Sequence, residues 1–284
     1  MVTDDPRQHP IGVFDSGLGG LTVVRELARV LPAESIVYLG DSARVPYGIK
    51  SLQTVRRFAM EDATFLLSHR PKMLVVACNS ASAAAVEQLT ARSPVPVVDV
   101  IRPSAAAAVA ATAGPVGVIG TEATIASGAY ARAIHEIDPA REVVSVPCPL
   151  LVPIVEEGRS EDDPIVMHVL CGYLPELQRR RVEVLVLGCT HYPLLAGPIA
   201  KLMGPEVQLI NSGAAAAEEV ARQLRQGALD NPGPAPGPLR CFTTDNPERF
   251  AELGQRFGGR AIDKVTFVGT DELEAPQAVG KETT

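Results

Sequence analysis

The segments MLVVAC (Met73–Cys78) and VLVLGC (Val184–Cys189) are near repeats of each other, and each ends in a cysteine. Each contains a run of apolar, mostly branched residues, which is typical of a parallel strand buried on both faces. An earlier pair, PIGVFDS (residues 10–16) and PVGVIGT (residues 115–121), repeats in the same order. The two repeats predict two related halves, with one cysteine directly after a strand in each half.

Apolar runs of strand length alternate with segments of helical pattern along most of the chain. The runs predict ten strands, at Ile11–Phe14, Ile36–Leu39, Met73–Ala77, Val95–Val98, Val116–Ile119, Val143–Val146, Val184–Leu187, Val207–Ile210, Leu239–Thr243 and Val265–Val268. Helical patterns include Leu21–Leu31, Leu52–Ser68, Ala81–Ala91, Ser104–Ala111 and Ala214–Gly227. This alternation predicts an α/β fold of doubly wound, parallel-rich sheets.

Two segments have the character of hinges between domains. They are VDVIRPS (residues 98–104) and LINSG (residues 209–213), and alanines follow each of them. We therefore expect a first domain of residues 1–99 and 211–284, interrupted by a second domain of residues 100–210. The internal repeat makes the two domains pseudo-symmetric, and it predicts an active-site cleft between them.

Composition and charge exclude several classes of protein. The formal net charge is −7, and the one basic run, Arg179–Arg181, is interpreted as a solvated helix end, so nucleic-acid binding is not indicated. The sequence has no apolar run long enough to span a membrane and no signal-peptide pattern at its start, so we expect a cytoplasmic protein. Its five cysteines are widely spread and form no CxxC pair, which argues against a disulfide framework and a structural zinc site.

Polar residues follow the predicted strands directly in both halves. In open α/β sheets, ligands bind beyond the carboxyl ends of the strands, so these residues form the candidate site. In chain order they are Asp15 and Ser16; Asp41, Tyr47 and Gly48; Cys78, Asn79 and Ser80; Thr121; and Cys189, Thr190 and His191. Two thiols at equivalent strand ends are expected to face each other across the cleft.

Each of these residues also has a structural interpretation. The turn DSGLGG after the first strand can present N–H groups to an anion, or it can be a tight strand-to-helix turn. Asp15 and Asp41 can cap a helix, or they can accept or orient a proton near a thiol. A lone cysteine is usually a core residue, and only the equivalent placement of Cys78 and Cys189 favours chemistry. His191 is either a structural histidine or a group that polarises Cys189 or protonates a substrate carboxylate.

Neither a metal nor an organic cofactor is expected. A zinc site made of two cysteines and a histidine would lack its usual fourth ligand and the close spacing of its cysteines. The five lysines all lie outside the cysteine and DSG motifs, which disfavours a Schiff base with pyridoxal phosphate.

Four segments together resemble the signature segments of the glutamate racemase family, which belongs to the aspartate/glutamate racemase superfamily. They are FDSGLGGLTV, YLGDSARVPYG, VVACNSAS and LGCTHYPLL, and they occur in the family's order. The resemblance covers most of residues 11–270. The two cysteine motifs are shared across the superfamily, whereas DSGLGG and PYG are more specific to glutamate racemases.

The resemblance implies a role for each matching residue. Cys78 and Cys189 would be the catalytic acid/base pair, assisted by Asp15 and His191 respectively. Asp41 and Glu156 match supporting carboxylates, although Glu157 adjoins Glu156. The substrate-binding residues would be Asp15, Ser16, Tyr47, Gly48, Asn79, Ser80, Thr121, Thr190 and His191. Ser80 and Ser42 replace commoner threonines but keep the hydroxyl, and Val45 stands where many relatives have a cysteine outside the catalytic pair.

The resemblance also implies a mechanism and a role in the cell. One cysteine, as a thiolate, removes the α-proton, and the other, as a thiol, returns a proton on the opposite face, without pyridoxal phosphate. In the family, the equivalent of Cys78 attacks D-glutamate and that of Cys189 attacks L-glutamate. The product D-glutamate would serve peptidoglycan synthesis, and a homodimer is expected.

Three other functions remain open on the sequence alone. An aspartate racemase or another isomerase of the superfamily would differ in the length of the substrate side chain. A cysteine hydrolase using Cys189 with His191 would tolerate loss of Cys78 and turn over esters. A binding protein without catalysis would bind glutamate but leave its α-proton in place.

Overall fold

The computed structural model describes residues 5–259, 261, 262 and 264–274. Within them the chain forms ten strands, and each lies at one of the apolar runs that predict a strand. The strands are β1 (Ile11–Asp15), β2 (Ile36–Gly40), β3 (Met73–Val76), β4 (Val97–Asp99), β5 (Val116–Gly120), β6 (Val143–Pro147), β7 (Val184–Gly188), β8 (Gln208–Asn211), β9 (Leu239–Thr243) and β10 (Val265–Phe267).

Helices connect the strands throughout the described residues. The α-helices are α1 (Leu21–Val30), α2 (Leu52–Ser68), α3 (Asn79–Arg92), α4 (Ile101–Ala111), α5 (Glu122–Ala126), α6 (Ala129–Ile137), α7 (Leu151–Glu156), α8 (Pro164–Tyr173), α9 (Pro175–Arg179), α10 (Ala196–Met203), α11 (Ser212–Gln226), α12 (Pro247–Gly258) and α13 (Thr270–Glu274). Short 3-10 helices lie at Pro6–Gln8, Ser42–Arg44, Tyr47–Ile49 and Tyr192–Leu195. None of the helices in the described ranges is long and apolar enough to cross a membrane.

The strands form two parallel sheets, which confirms the predicted α/β class. The first sheet has the order β10-β9-β2-β1-β3-β4, and the second has the order β6-β5-β7-β8. Every pairing in the two sheets is parallel. The order β2-β1-β3-β4 matches β6-β5-β7-β8, so β3 and β7 occupy equivalent places. Cys78 and Cys189 therefore follow equivalent strands, as the internal repeat predicts.

The inner strands are buried on both faces, which explains their continuous apolar sequences. Every residue of β1, β2, β3, β5 and β7 is buried, because helices cover both faces of each sheet. Helix α1 shows the matching pattern, since it buries Leu21, Val23, Val24 and Leu27 on one face. The sheets are thus held rigid, and their carboxyl ends provide fixed positions for a site.

The chain passes between the two sheets twice, through α4 and α11, and these two helices pack against each other. The Asp99 carboxylate accepts hydrogen bonds from the N–H groups of Ile101 (2.7 Å) and Arg102 (3.0 Å) at the start of α4. Asn211 Oδ1 likewise accepts from the N–H of Gly213 (2.9 Å) at the start of α11. The domain boundaries at residues 99 and 211 stay a prediction, and residues 1–4, 260, 263 and 275–284 of the expected first domain lie outside the described residues.

Candidate active site

A cavity of about 260 Å³ lies between the carboxyl ends of the two sheets, where the sequence predicts a ligand site. Parallel strands end at one edge of a sheet, so residues far apart in sequence meet there. The predicted site residues that line it are Ser16, Tyr47, Gly48, Cys78, Asn79, Ser80, Thr121, Glu156, Cys189, Thr190 and His191. Asp15 and Asp41 are fully buried behind this lining.

Cys78 lies on the side of the cavity formed by the first sheet. Its thiol is 3.8 Å from Ser16 Oγ, and the residue is 5% exposed. Burial, together with the nearby carboxylate of Asp15, raises the pKa of Cys78 above its ordinary value, against smaller opposing effects of Ala81 and Ser16. Cys78 is therefore held as a neutral thiol.

Asp15 fixes the glycine-rich turn that follows β1. Its Oδ2 accepts hydrogen bonds from the N–H groups of Gly17 (3.2 Å) and Gly20 (2.9 Å), whereas Oδ1 has no hydrogen-bond partner among the described residues. Burial raises the pKa of Asp15, although His191 and the backbone donors oppose this shift. Asp15 thus shapes the turn and acts on Cys78 through its charge.

Cys189 lies on the second side of the cavity and carries a different set of neighbours. Its sulfur is 3.8 Å from His191 Nδ1, and His191 Nε2 is 3.0 Å from Glu156 Oε1. Burial disfavours a charged imidazole, but hydrogen bonds to Cys189 and Glu156 outweigh it and raise the pKa of His191 to about 10. An imidazolium ion therefore stands beside Cys189 at neutral pH. The adjoining Glu157 instead pairs with Arg159 at 3.0 Å and is absent from the cavity lining.

A buried polar network holds the short helix that carries Tyr47. The Tyr47 hydroxyl contacts Asp41 and lies 3.0 Å from Asp62 Oδ2. Arg44 binds both carboxylates, at 2.7 Å from Asp41 and 3.1 Å from Asp62, and it also contacts Glu61. Asp41 thus supports the cavity wall through Tyr47 and Arg44 without facing the cavity.

Side chains from the two halves meet directly across the cavity. Ser80 Oγ, at the start of α3, lies 3.0 Å from Thr121 Oγ1 and 3.2 Å from Thr124 Oγ1 of the second half. Asn79 Oδ1 accepts a hydrogen bond of 2.6 Å from the Tyr130 hydroxyl of α6. A β-carbon on Gly48 would lie 2.6 Å from Thr121 Cβ, so glycine is needed for this close approach.

Sequence reasoning missed several residues that complete the site. Asp62 lies inside a predicted helical pattern and Tyr130 lies outside the predicted ones, and no motif marks either residue. Thr124 lies in the segment GVIGTEATI (residues 117–125), which resembles the family, but only Thr121 of that segment was singled out. Pro149, Val152 and Pro153 add an apolar part to the cavity wall. The segment LVPIVEEG (residues 151–158), which contains Glu156, could have pointed to Val152 and Pro153, whereas Pro149 lies outside it.

The arrangement is suited to proton transfer at one carbon from two sides. Two thiols, one from each half, face one cavity lined by hydroxyl and amide groups. Their surroundings differ, since a carboxylate lies near Cys78 and an imidazolium lies near Cys189. Among the residues that the structure describes, no group of three or more His, Cys, Asp or Glu side chains is arranged to hold a metal ion.

Comparison with known proteins identifies the family. The family description "Asp/Glu/Hydantoin racemase" matches residues 11–220. A glutamate racemase of Geobacter metallireducens is 50% identical over 263 residues, covering 92% of this chain and 97% of the relative. That of Syntrophus aciditrophicus is 47% identical over 269 residues, covering 94% and 99%.

A solved structure agrees with the sequence comparison. The crystal structure of glutamate racemase from Francisella tularensis in complex with D-glutamate matches with a TM-score of 0.87 and 39% identity. The match covers 93% of this chain and 99% of that one. By sequence and by fold, the chain belongs to the Asp/Glu/hydantoin racemases and, within them, to the glutamate racemase family.

Proposed function

We propose that this protein interconverts L- and D-glutamate with two cysteines and without an organic cofactor. The observation that carries the proposal is the placement of Cys78 and Cys189 after equivalent strands, at one cavity between the halves. Membership of the glutamate racemase family supports glutamate as the substrate. Inversion at a carbon needs a base on one face and an acid on the other, and two opposed thiols supply both.

The neighbours of each sulfur support a direction for the first proton transfer. With L-glutamate, the Cys189 thiolate accepts the α-proton and becomes a thiol, while Cys78 gives its proton to the opposite face of the carbon. The imidazolium of His191 suits a thiolate at Cys189, and the high pKa of Cys78 suits a neutral donor there. With D-glutamate the same two transfers run in reverse.

The α-proton of an amino acid is far less acidic than a thiol, so the site must stabilise the negative charge that develops on the substrate. Hydrogen-bond donors around the α-carboxylate meet this need, and Ser16, Asn79, Ser80 and Thr190 line the cavity for it. Burial of these groups strengthens their effect, because little water competes with them.

Proton exchange in D2O tests the proposal. Purified protein is incubated with L-glutamate without pyridoxal phosphate, and the α-proton is followed by NMR while optical activity is followed by circular dichroism. Both signals are expected to decay. Cys78→Ala and Cys189→Ala should each slow inversion by at least about 100-fold, because each removes one acid/base group. Cys171→Ala removes an exposed thiol of α8 and should leave the rate unchanged.

Other outcomes would point to a different function. Exchange of L-aspartate in place of L-glutamate would indicate an aspartate racemase. Ester hydrolysis that survives Cys78→Ala would indicate a cysteine hydrolase. Binding of glutamate by folded protein without exchange would leave only a binding role.

We further propose that the D-glutamate serves peptidoglycan synthesis in the cytoplasm and that the protein is a homodimer. Family membership supports these proposals. Expression of the chain should let a bacterium that requires added D-glutamate grow without it, and the Cys189→Ala variant should not. Light scattering of the purified protein should give twice the chain mass of 30.0 kDa, and a single-chain mass would contradict the dimer.

A further inference from the structure

Tyr130 reaches from the second half to the helix that begins after Cys78. It belongs to α6, is 2% exposed, and its hydroxyl donates a hydrogen bond of 2.6 Å to Asn79 Oδ1. Asn79 is the first residue of α3, is 3% exposed and lines the cavity. One side chain of the second half therefore fixes a cavity-lining amide of the first.

The other end of the Asn79 amide has no hydrogen-bond partner among the described residues. Its Nδ2 is fully buried, and a buried donor without an acceptor is costly, so such groups are few in native structures. Because Asn79 is one of the residues that line the cavity, a molecule bound there can supply the acceptor once the buried nitrogen is brought against it. Because Asn79 directly follows Cys78, the matching acceptor is a carboxylate attached to the carbon at which the proton is moved.

The hydrogen bond from the Tyr130 hydroxyl fixes the orientation of the Asn79 side-chain amide. A tyrosine hydroxyl has a single proton to donate, and the amide oxygen of Asn79 accepts it. Ser104 and Ser212 also lie beside the Tyr130 hydroxyl. Ser104 Oγ donates its only proton to the carbonyl oxygen of Val100, at 2.5 Å, so it does not donate to the tyrosine. Without the tyrosine hydroxyl, the amide can rotate by half a turn and present its oxygen to the carboxylate, which repels it.

We propose that Tyr130 is a positioning residue, which holds Asn79 with its amide nitrogen directed at the α-carboxylate of the substrate. The inference rests on the proposed racemisation of glutamate and adds to it a residue that touches neither the substrate nor a cysteine. Tyr130 and Asn79 belong to different halves. The Asn79 amide nitrogen is therefore held in this orientation only when the two halves pack as they do in the structure.

A double-mutant cycle tests the proposal, because it separates an effect through Asn79 from a general effect on packing. Tyr130→Phe should lower kcat/KM for glutamate by about tenfold, the effect of one hydrogen bond. In the Asn79→Ala background, the same change should lower kcat/KM by less than about twofold. An equal loss in both backgrounds, or no loss in either, would overturn the proposal.

A second variant keeps the test independent of how well Tyr130→Phe folds. Asn79→Asp retains an oxygen that accepts from Tyr130 but turns the facing nitrogen into a charged oxygen. It should therefore be less active than Asn79→Ala, and activity near that of the unmodified chain would overturn the proposal. Thermal melting of every variant, with Tyr192→Phe as an equally buried hydroxyl loss, measures the effect on stability alone.

The unmodified chain is assayed for exchange of glutamate in the same series. An active chain whose Tyr130→Phe variant matches it would overturn the positioning role and leave racemisation standing. A folded chain that does not exchange glutamate would overturn both.

Discussion

At the scale of single residues, the site gives two identical thiols unlike electrostatic surroundings. The imidazolium of His191 depends on Glu156, which lies 3.0 Å from Nε2, and on the sulfur of Cys189. The raised pKa of His191 also contributes to stability. That contribution is fully present below the ordinary value of 6.5 and is lost as the pH rises through about 10.

Glu156→Gln should change the pH dependence of catalysis. The substitution removes one of the groups that raise the pKa of His191, so the imidazole loses its proton at lower pH. We expect the alkaline limb of the kcat/KM profile to move down by about one to two pH units, the effect of one charged hydrogen bond. Steady-state rates between neutral and alkaline pH measure it. The neighbouring Glu157→Gln is the control, and an unmoved limb in Glu156→Gln would contradict the assignment.

The sequence predicts that a residue lies at the cavity where its position follows from a strand. Thr121 and Cys189 directly follow β5 and β7, and Cys78 lies two residues after the end of β3. All three line the cavity between the carboxyl ends of the two sheets, as the parallel topology implies. Asp62 and Tyr130 could not be predicted in the same way. Their roles come from side-chain contacts across 15 and 51 residues, and those contacts depend on how helices pack, which a helical pattern does not specify.

At the scale of elements, the turn after β1 (residues 15–20) packs closely against the second half. A β-carbon on Gly19 would collide with Thr190 Oγ1 and lie 2.6 Å from the His191 ring. Thr22 Oγ1, at the start of α1, lies 2.9 Å from the carbonyl oxygen of Thr190 and ties the turn to the same segment. The turn therefore positions groups beside Cys189 although it follows a strand of the first sheet.

Gly19→Ala should lower kcat/KM by about 100-fold, because a displacement of His191 by about 1 Å suffices for such a loss. Gly172→Ala is the matched control. A β-carbon there meets no atom within 4 Å, so activity should be unchanged and the free energy of unfolding should rise by up to about 1 kcal/mol. Steady-state kinetics and denaturant unfolding measure the two effects, and an active Gly19→Ala would show that the turn can relax.

The network under Tyr47 makes a prediction about stability. Burial and the charge of Asp41 raise the pKa of Asp62, against the pull of Arg44. The stability that the protonated Asp62 contributes is present below its unfolded pKa of about 3.9 and is lost as the pH rises through the raised value. The amide of the Asp62→Asn variant cannot ionise. The melting temperature of this variant, minus that of the unmodified chain, should therefore increase as the pH rises from 5 to 8.

Melting curves at several pH values, with the exposed Asp162→Asn as control, measure this difference. A difference that stays flat with pH would show that Asp62 is ionised throughout. Asp62→Ala should instead lower the free energy of unfolding by about 1–3 kcal/mol, because Arg44 and Tyr47 each lose one buried hydrogen-bond partner and keep Asp41.

Element boundaries show where sequence patterns reach their limit. The observed α3 and α4 each begin two or three residues before the predicted Ala81 and Ser104. Polar Asn79 and Ser80 do not extend an apolar pattern, yet they start a helix because the strand end places them there. Pro103 breaks helical patterns in general, but it is tolerated in the first turn of α4, where its missing N–H would have no partner.

At the scale of the whole molecule, α12 binds the two halves together behind the site. Arg256 donates hydrogen bonds to the carbonyl oxygens of Val155 (2.9 Å) and Arg159 (2.5 Å), at the end of the helix that carries Glu156. Phe257 packs edge-on against the His191 ring, with 5.3 Å between ring centres. Helix α12 therefore supports the environment of Cys189, although both cysteine motifs precede it in the sequence.

Arg256→Ala should lower the free energy of unfolding by about 1–3 kcal/mol, the range for hydrogen bonds of a charged group, and raise the KM for glutamate several-fold. Calorimetry should show a fall of about 2–4 °C in melting temperature for each kcal/mol. Arg222→Ala removes an exposed ion pair of α11 and is the control, since such pairs contribute little. An unchanged KM in Arg256→Ala would show that α7 holds Glu156 without this contact.

The unlike surroundings of the two cysteines have a consequence for the kinetics in the two directions. Enantiomers have equal free energies in water, so a racemase must have the same kcat/KM for both, whatever its structure. The carboxylate near Cys78 and the imidazolium near Cys189 can therefore affect kcat and KM for each enantiomer, but they cannot make kcat/KM differ between the two enantiomers. We thus expect kcat to differ between L-glutamate and D-glutamate, and KM to differ by the same factor, so that kcat/KM is equal for both.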